Sequence, residues 1–300
     1  MSVSSLPSPA PARGGVTPTW SVTIPSSVRG ICLAREKGWL LAWDEQSWLH
    51  LFGRGGPRQG DVQVKTQVTA ACCADDGSVI AACGSRGELW WFGPDLALRW
   101  ERALSGRALA VAIDPFGQYV AIADSRGTLH ILDSRGETVT KLQTARPLHH
   151  LVFVPAAPQI VGCSDYGLVA GFDLAGRELW RDGLVAHIGS VAVNEDGGRV
   201  VLACFSEGLQ CYTAAGKNLG RVPVSEPCRL AALSFDGELA LCTGLSSHLF
   251  LLDRAGRVLY THALDRPAAA IALGPLGDAA IVALPDGHVI GLDFRTRQTG

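Results

Sequence analysis

The chain has 300 residues, 47% of them apolar and 18% charged, and a net charge of −2. That balance gives no general electrostatic case for nucleic acid or for an anionic membrane surface. The length alone fits two ordinary domains, so pattern rather than size has to decide the division.

Residues 1–16 are rich in Pro, Ser and Gly and contain no apolar run, the composition of a disordered tail. No hydrophobic segment follows a basic start, so a secretory signal is not expected. No stretch reaches the length of a transmembrane helix. Nine cysteines, an odd number, without an export signal point to reduced thiols and a cytoplasmic protein.

From residue 17 onward the chain repeats itself every forty residues. One landmark is a turn glycine, at Gly77, Gly117, Gly197, Gly237 and Gly277. Asp76, Asp196 and Asp236 precede three of them, and Asp-Gly is a turn pair that tolerates positive φ. A second landmark is Asp133, Asp173, Asp253 and Asp293, with Thr213 in one slot and Gly53 and Gly93 in two others. An apolar residue stands before each: Phe52, Phe92, Leu132, Phe172, Tyr212, Leu252 and Leu292, which makes seven units.

Within the unit Ala110–Asp133 the apolar runs are Val111–Ile113, Tyr119–Ala123 and Leu129–Leu132, split by Pro-Phe-Gly and Ser-Arg-Gly. A fourth run, Glu137–Leu142, follows Gly136. Short runs divided by turn signals read as strands, not helices. Four antiparallel strands per unit of forty residues are the signature of a β-propeller blade. The prediction is an all-β, single-domain, seven-bladed β-propeller over residues 17–294, with a short tail at 295–300.

The segment Thr17–Pro25 belongs to the repeat as well. Fourth strands carry an aromatic at Trp100, Trp180 and Tyr260, and steps of forty back from Trp100 reach Gly60 and then Trp20. Trp20 therefore holds a fourth-strand position with no blade in front of it, while only seven residues follow Asp293. The N-terminal strand is expected to complete blade 7, closing the ring and covering an edge that otherwise pairs with other chains. The third positions of the innermost strands are mostly small (Cys32, Cys72, Ala112, Val152, Ala192, Ala232, Ala272), as suits strands that converge on one axis.

The recurring order of apolar strand, Asp-Gly turn, apolar strand, Ser/Asp-x-Gly turn, apolar strand and Asp covers about residues 18–294. In this order the chain resembles the WD-repeat family of seven-bladed propellers. Leu132-Asp133, Phe172-Asp173, Leu252-Asp253 and Leu292-Asp293 stand where that family has Trp-Asp, and Ala186-His187 is nearest to its Gly-His pair. The run Ala175-Gly-Arg-Glu-Leu-Trp180 is more weakly similar to quinoprotein-type propeller repeats. The WD-repeat resemblance implies a rigid platform for protein–protein contacts, usually without catalysis; fold alone does not establish a function.

The chain contains no nucleophile elbow, His-Glu-x-x-His motif or phosphate loop. The cysteines form no Cys-x-x-Cys pairs of zinc spacing; Cys83, Cys163, Cys204 and Cys242 end second strands, where a small apolar residue packs well. Cys32 and Cys72 share a register on neighbouring inner strands, so a metal or redox role near the channel is the alternative to packing there. His149 and His150 begin an inner strand and point to opposite sides, which makes them poor joint ligands. No catalytic residue, metal site or cofactor is expected.

Two features suggest a partner surface. Trp39, Trp43, Trp48, Trp90 and Trp91 gather in blades 1 and 2; Trp90 is the candidate contact residue, with inter-blade packing as the plain alternative. The other feature is arginine. Turns between second and third strands, and connections between blades, emerge on the same, narrower face of a propeller. Arg86 and Arg126 lie in Ser-Arg-Gly turns, and Arg107 and Arg146 lie on the intervening connections, all in blades 2 to 4. Equivalent turns elsewhere carry Asp165, Glu207 and Asp286, so the face is expected to be basic on one arc and acidic opposite. Guanidinium forks suit carboxylate or phosphate recognition.

The expected function is a non-catalytic scaffold, monomeric by itself, that binds one or more proteins through this face. The competing class is a propeller enzyme or small-ligand binder with its site at the channel mouth. Quinone-cofactor binding is a third reading.

Overall fold

The short apolar runs form strands because each is bounded by a turn whose backbone groups are satisfied locally. The protein, described here by a computed structural model over residues 16–206 and 208–294, has only β-strands as regular elements among those residues. Seven antiparallel four-stranded sheets form the blades. The tails at 1–15 and 295–300, and the predicted turn residue Glu207, lie outside the described residues.

Blade 1 runs outward through Val28–Ala34, Trp39–Asp44, Trp48–Phe52 and Arg58–Gln63. Blades 2 to 6 repeat this order. Each innermost strand lies against that of the next blade, and Ala270–Leu273 of blade 7 lies against Val28–Ala34 of blade 1, so the ring is complete. The last blade is composite: Ala270–Leu273, Ala279–Ala283 and His288–Asp293 are followed outward by Thr17–Thr23. Thr17 pairs with Asp293 and Thr23 with His288, and the Ile24 N–H donates to the Gly287 carbonyl at 2.8 Å. Buried Ile24 then packs among Val28, Leu40 and Phe52 of blade 1 and Ala283 and Val289 of blade 7. The predicted ring closure is thus present.

Buried apolar side chains fill the wedges between blades rather than one central core. The third-to-fourth-strand turns are tied by the register residue itself. Asp133, Asp173 and Asp253 accept the N–H groups of Glu137, Arg177 and Arg257 at 2.8–2.9 Å, and Thr213 Oγ1 does the same for Lys217 at 3.2 Å. On the same side of the ring, first-to-second-strand turns are hydrogen-bonded from blade to blade: Asp75 N–H to Pro115, Ala156 to Glu195, Glu195 to Phe235 and Phe235 to Pro275, at 2.8–3.0 Å.

The fourth-strand aromatics join neighbouring blades. Trp100 stacks on Trp91 at 5.3 Å and donates its indole N–H to the Ser134 carbonyl in the next blade at 3.0 Å. Trp180 donates to the Ala214 carbonyl at 2.6 Å. The turn beneath each ring is glycine for a physical reason. Gly136 has φ 79° and Gly216 has φ 86°, and a Cβ would lie 3.2 Å and 2.5 Å from the respective indole. Both the left-handed backbone and the ring's proximity exclude a side chain. Trp20 covers Gly56 in the same way, across the closing seam.

Two outcomes test this account. Deleting residues 1–27 exposes the edge of His288–Asp293 and is expected to give aggregated or oligomeric protein; a monomer that unfolds cooperatively would contradict it, as judged by size-exclusion chromatography and thermal melting. Trp180→Ala removes the ring and its hydrogen bond and is expected to cost roughly 3 kcal/mol, measured by denaturant titration.

Candidate functional site

One face of the ring is built from the second-to-third-strand turns and the connections between blades. The two sets are woven together: Leu104 N–H donates to the Gly87 carbonyl, Thr144 to Gly127, Ser85 to Gln67 and Ser125 to Arg107, at 2.7–2.8 Å. This weave brings Arg86, Arg107, Arg126 and Arg146 to one face of blades 2 to 4, as their repeat positions predict.

All four are exposed, and none forms an ion pair with another described residue. Their backbones, by contrast, are held. Arg86 N–H donates to the Glu88 carboxylate at 3.0 Å. Arg126 N–H donates to Asp124 at 2.9 Å, and its carbonyl accepts the Gln143 amide at 2.8 Å. The Arg107 carbonyl accepts from Ser125. The Arg146 carbonyl accepts the Thr144 hydroxyl at 2.8 Å, while its guanidinium reaches the Tyr166 carbonyl at 3.4 Å. The four guanidiniums are thus presented from fixed points.

Asp124 is the anchor beneath Arg126. It is fully buried, accepts the N–H groups of Arg126 and Thr128 at 2.9 Å and contacts the His130 ring at 3.1 Å. Burial opposes its ionisation, but the Thr128 N–H, the His130 ring and the Arg126 N–H outweigh it and hold the carboxyl below the ordinary carboxylate range. Blade 1 has the same device. Asp44 accepts the N–H groups of Gln46 and Trp48 at 2.9–3.0 Å, the Ser26 hydroxyl and His50 at 3.3 Å. His50 continues to Asp61 at 2.6 Å, which Arg58 also meets at 2.6 Å. An aspartate six residues before a histidine, at Asp44/His50 and Asp124/His130, is the sequence signal that a turn-by-turn reading passes over.

The opposite arc is less acidic than the sequence suggests. Asp286 is paired with Arg266 at 3.2 Å and His288 at 3.1 Å, Asp165 is exposed, and Glu207 lies outside the described residues. The tryptophan expectation needs correction. Trp90 and Trp91 are each 2% exposed and pack between blades, so Trp90 offers no surface to a partner. The reason is strand parity: in the third strand Glu88–Phe92, buried from Leu89 onward, both faces meet a neighbouring blade.

The central channel opens on this same face through a cavity of about 440 Å³ lined by Arg29, Trp43, Thr69, His149, Ser190 and Leu230, among others. His149 Nδ1 accepts the Asp165 N–H at 3.1 Å. His150 turns the other way, to the Ile188 carbonyl at 3.1 Å, and burial lowers its basicity. The two neighbours thus take different hydrogen-bond partners, although both line this cavity. At the far end a second cavity, of about 270 Å³, is lined by Cys32, Arg35, Cys73, Asp75 and apolar residues of the innermost strands. There Arg35 forks onto Asp75 at 2.8 and 3.1 Å, and its guanidinium lies 4.4 Å from the centre of the Phe235 ring, joining blades 1, 2 and 6 across the mouth.

Among the described residues no three His, Cys, Asp or Glu side chains converge on a metal position, and no helix is long and apolar enough to cross a membrane. No protein-family model and no curated protein matches the sequence.

The Asp124 anchor has a pH signature. Its folded pKa lies below the unfolded value, so its contribution is complete above about pH 4 and lost as pH falls further, through the folded pKa. Asp124→Asn is expected to cost about 1–3 kcal/mol at neutral pH and to flatten the loss of stability below pH 4. Denaturant titrations at pH 7 and at pH 3 compare the two proteins; equal stability at pH 7 would remove Asp124 from this role.

Proposed function

We propose that the chain is a non-catalytic interaction scaffold of WD-repeat type, working in the cytoplasm, that holds a partner protein on the face of second-to-third-strand turns and blade connections. The observation that carries this reading is the arc of four exposed guanidiniums without carboxylate partners among the described residues, at Arg86, Arg107, Arg126 and Arg146. Fixed backbones reduce the ordering cost of binding. The partner surface that suits them presents carboxylates or phosphates. Exposed apolar side chains beside the arc, Tyr166 and Val185 at 42% and 80%, supply area that water leaves on contact.

A second reading has one observation in its favour. The 440 Å³ channel mouth, lined by Arg29, Trp43 and His149, has the size and mixed polarity of a small-ligand site. A small anion bound there raises the thermal midpoint further with each increase in concentration, logarithmically above its Kd, whereas a docked protein needs the surrounding arc.

Charge reversal at two arc positions separates the possibilities. Arg86→Glu with Arg126→Glu is expected to leave the melting temperature essentially unchanged, because the exposed side chains make no ion pair with a described residue. Partner retained in affinity capture from the native organism is expected to fall about tenfold or more, and wild-type capture to weaken with added salt. Unchanged capture by the folded variant would overturn the assignment of this face.

A further inference from the structure

On the far side of the ring, Cys32 of blade 1 and Cys73 of blade 2 bring their sulfurs to 3.5 Å. The Cys73 backbone N–H also points at the Cys32 sulfur, at 3.4 Å. We propose that Cys32 and Cys73 form an oxidisable thiol pair, a modification site that closes to an inter-blade disulfide under hydrogen peroxide.

Three features single out this pair among the nine cysteines. The first is contact: the sulfurs already touch, and a disulfide requires a further approach to about 2 Å. The second is access. Cys32 is only half-buried and lines the 270 Å³ cavity at the channel mouth, room for a molecule little larger than water. The third is activation. The Cys73 thiol and backbone N–H hold Cys32 below the ordinary thiol range against burial and the nearby Asp75 carboxylate, with Arg35 assisting more weakly. The same contact pushes the Cys73 thiol up. One member is therefore disposed to attack and the other to resolve.

The chemistry balances. The Cys32 thiolate attacks one peroxide oxygen, the O–O bond breaks, and hydroxide leaves and takes up the proton released by Cys32 as water. The Cys32 sulfenic acid is then attacked by the Cys73 sulfur; the S–O bond breaks, and the departing hydroxide takes the Cys73 proton. Two thiols are oxidised by two electrons in all, and one peroxide is reduced to two waters. Cys228 and Cys242, both 0% exposed, provide an internal comparison, because peroxide reaches neither through the channel.

The test treats the full-length protein with a small molar excess of hydrogen peroxide and follows intact mass, free thiols and disulfide-linked peptides. The expected result is a loss of two thiols from nine, a mass decrease of two hydrogens, and a single Cys32–Cys73 linked peptide. Dithiothreitol should reverse the change, and the oxidised protein should melt at a higher temperature than the reduced one. Cys32→Ser and Cys73→Ser should each abolish the linked species, while Cys72→Ser should leave it intact. Because peptide mapping is done on the wild type, a folding defect in a variant does not blur the result. Survival of all nine thiols, linkage to another cysteine, or over-oxidation of Cys32 with Cys73 still free would each overturn the proposal.

Discussion

Every blade must be fastened to its neighbour through the outer part of the wedge, where two sheets splay apart. The fold meets this constraint with a side chain from the fourth strand laid over the next blade's third-to-fourth turn. Trp20, Trp100 and Trp180 do this over Gly56, Gly136 and Gly216. Blade 1 has the arrangement reversed: the fourth-strand slot is Gly60, and the turn slot of blade 2 is Leu96, buried at 6%, 3.6 Å from the position a Gly60 Cβ would take. Leu96 keeps the positive φ of the glycines it replaces, 61°, a conformation that costs a non-glycine residue about 1 kcal/mol or more. The gap is thus filled from whichever side carries the side chain, and filling it outweighs the local strain. Because Trp20 makes this contact from Thr17–Thr23 across the seam, the closing strand both covers an edge and supplies the wedge contact there.

The face of second-to-third-strand turns, on the other side of the ring, is held by a separate device. Buried Asp124 and Asp44 each gather two backbone N–H groups of a second-to-third-strand turn and a histidine from the following strand. Such charge-assisted bonds shape the loop from inside, so the outward side chains carry no share of that task. Arg126 is the clearest case: its N–H is structural, and its guanidinium has no ion-pair partner among the described residues.

Much of the architecture was legible because forty-residue spacing fixes strand count, turn positions and the unpaired register of Trp20. The site was legible only in part. Positions of the four arginines follow from the repeat, since turn number determines face. Burial of Trp90 did not, because inner-blade strands bury both faces and parity then gives no outward side. The Arg35–Asp75–Phe235 contact joins residues forty and two hundred positions apart, and no local pattern encodes which side chains meet over the channel. The Asp–His anchors occur in two blades, so a search for features common to all seven averages them away.

The departures from the repeat divide by what they cost the fold. Changes that face a wedge, such as Gly60 with Leu96, are compensated within contact distance, because an empty wedge would leave a cavity and a lost apolar contact. The arginines of blades 2 to 4 are uncompensated: exposed charges contribute about 0–1 kcal/mol even when paired, and these form no ion pair with a described residue. A residue that the fold neither needs nor balances is free to be set by an external partner. That separation lets charge on this face be altered without disturbing the ring, and it is why the arginine arc, rather than the more numerous tryptophans, is the part of the molecule to pursue for function.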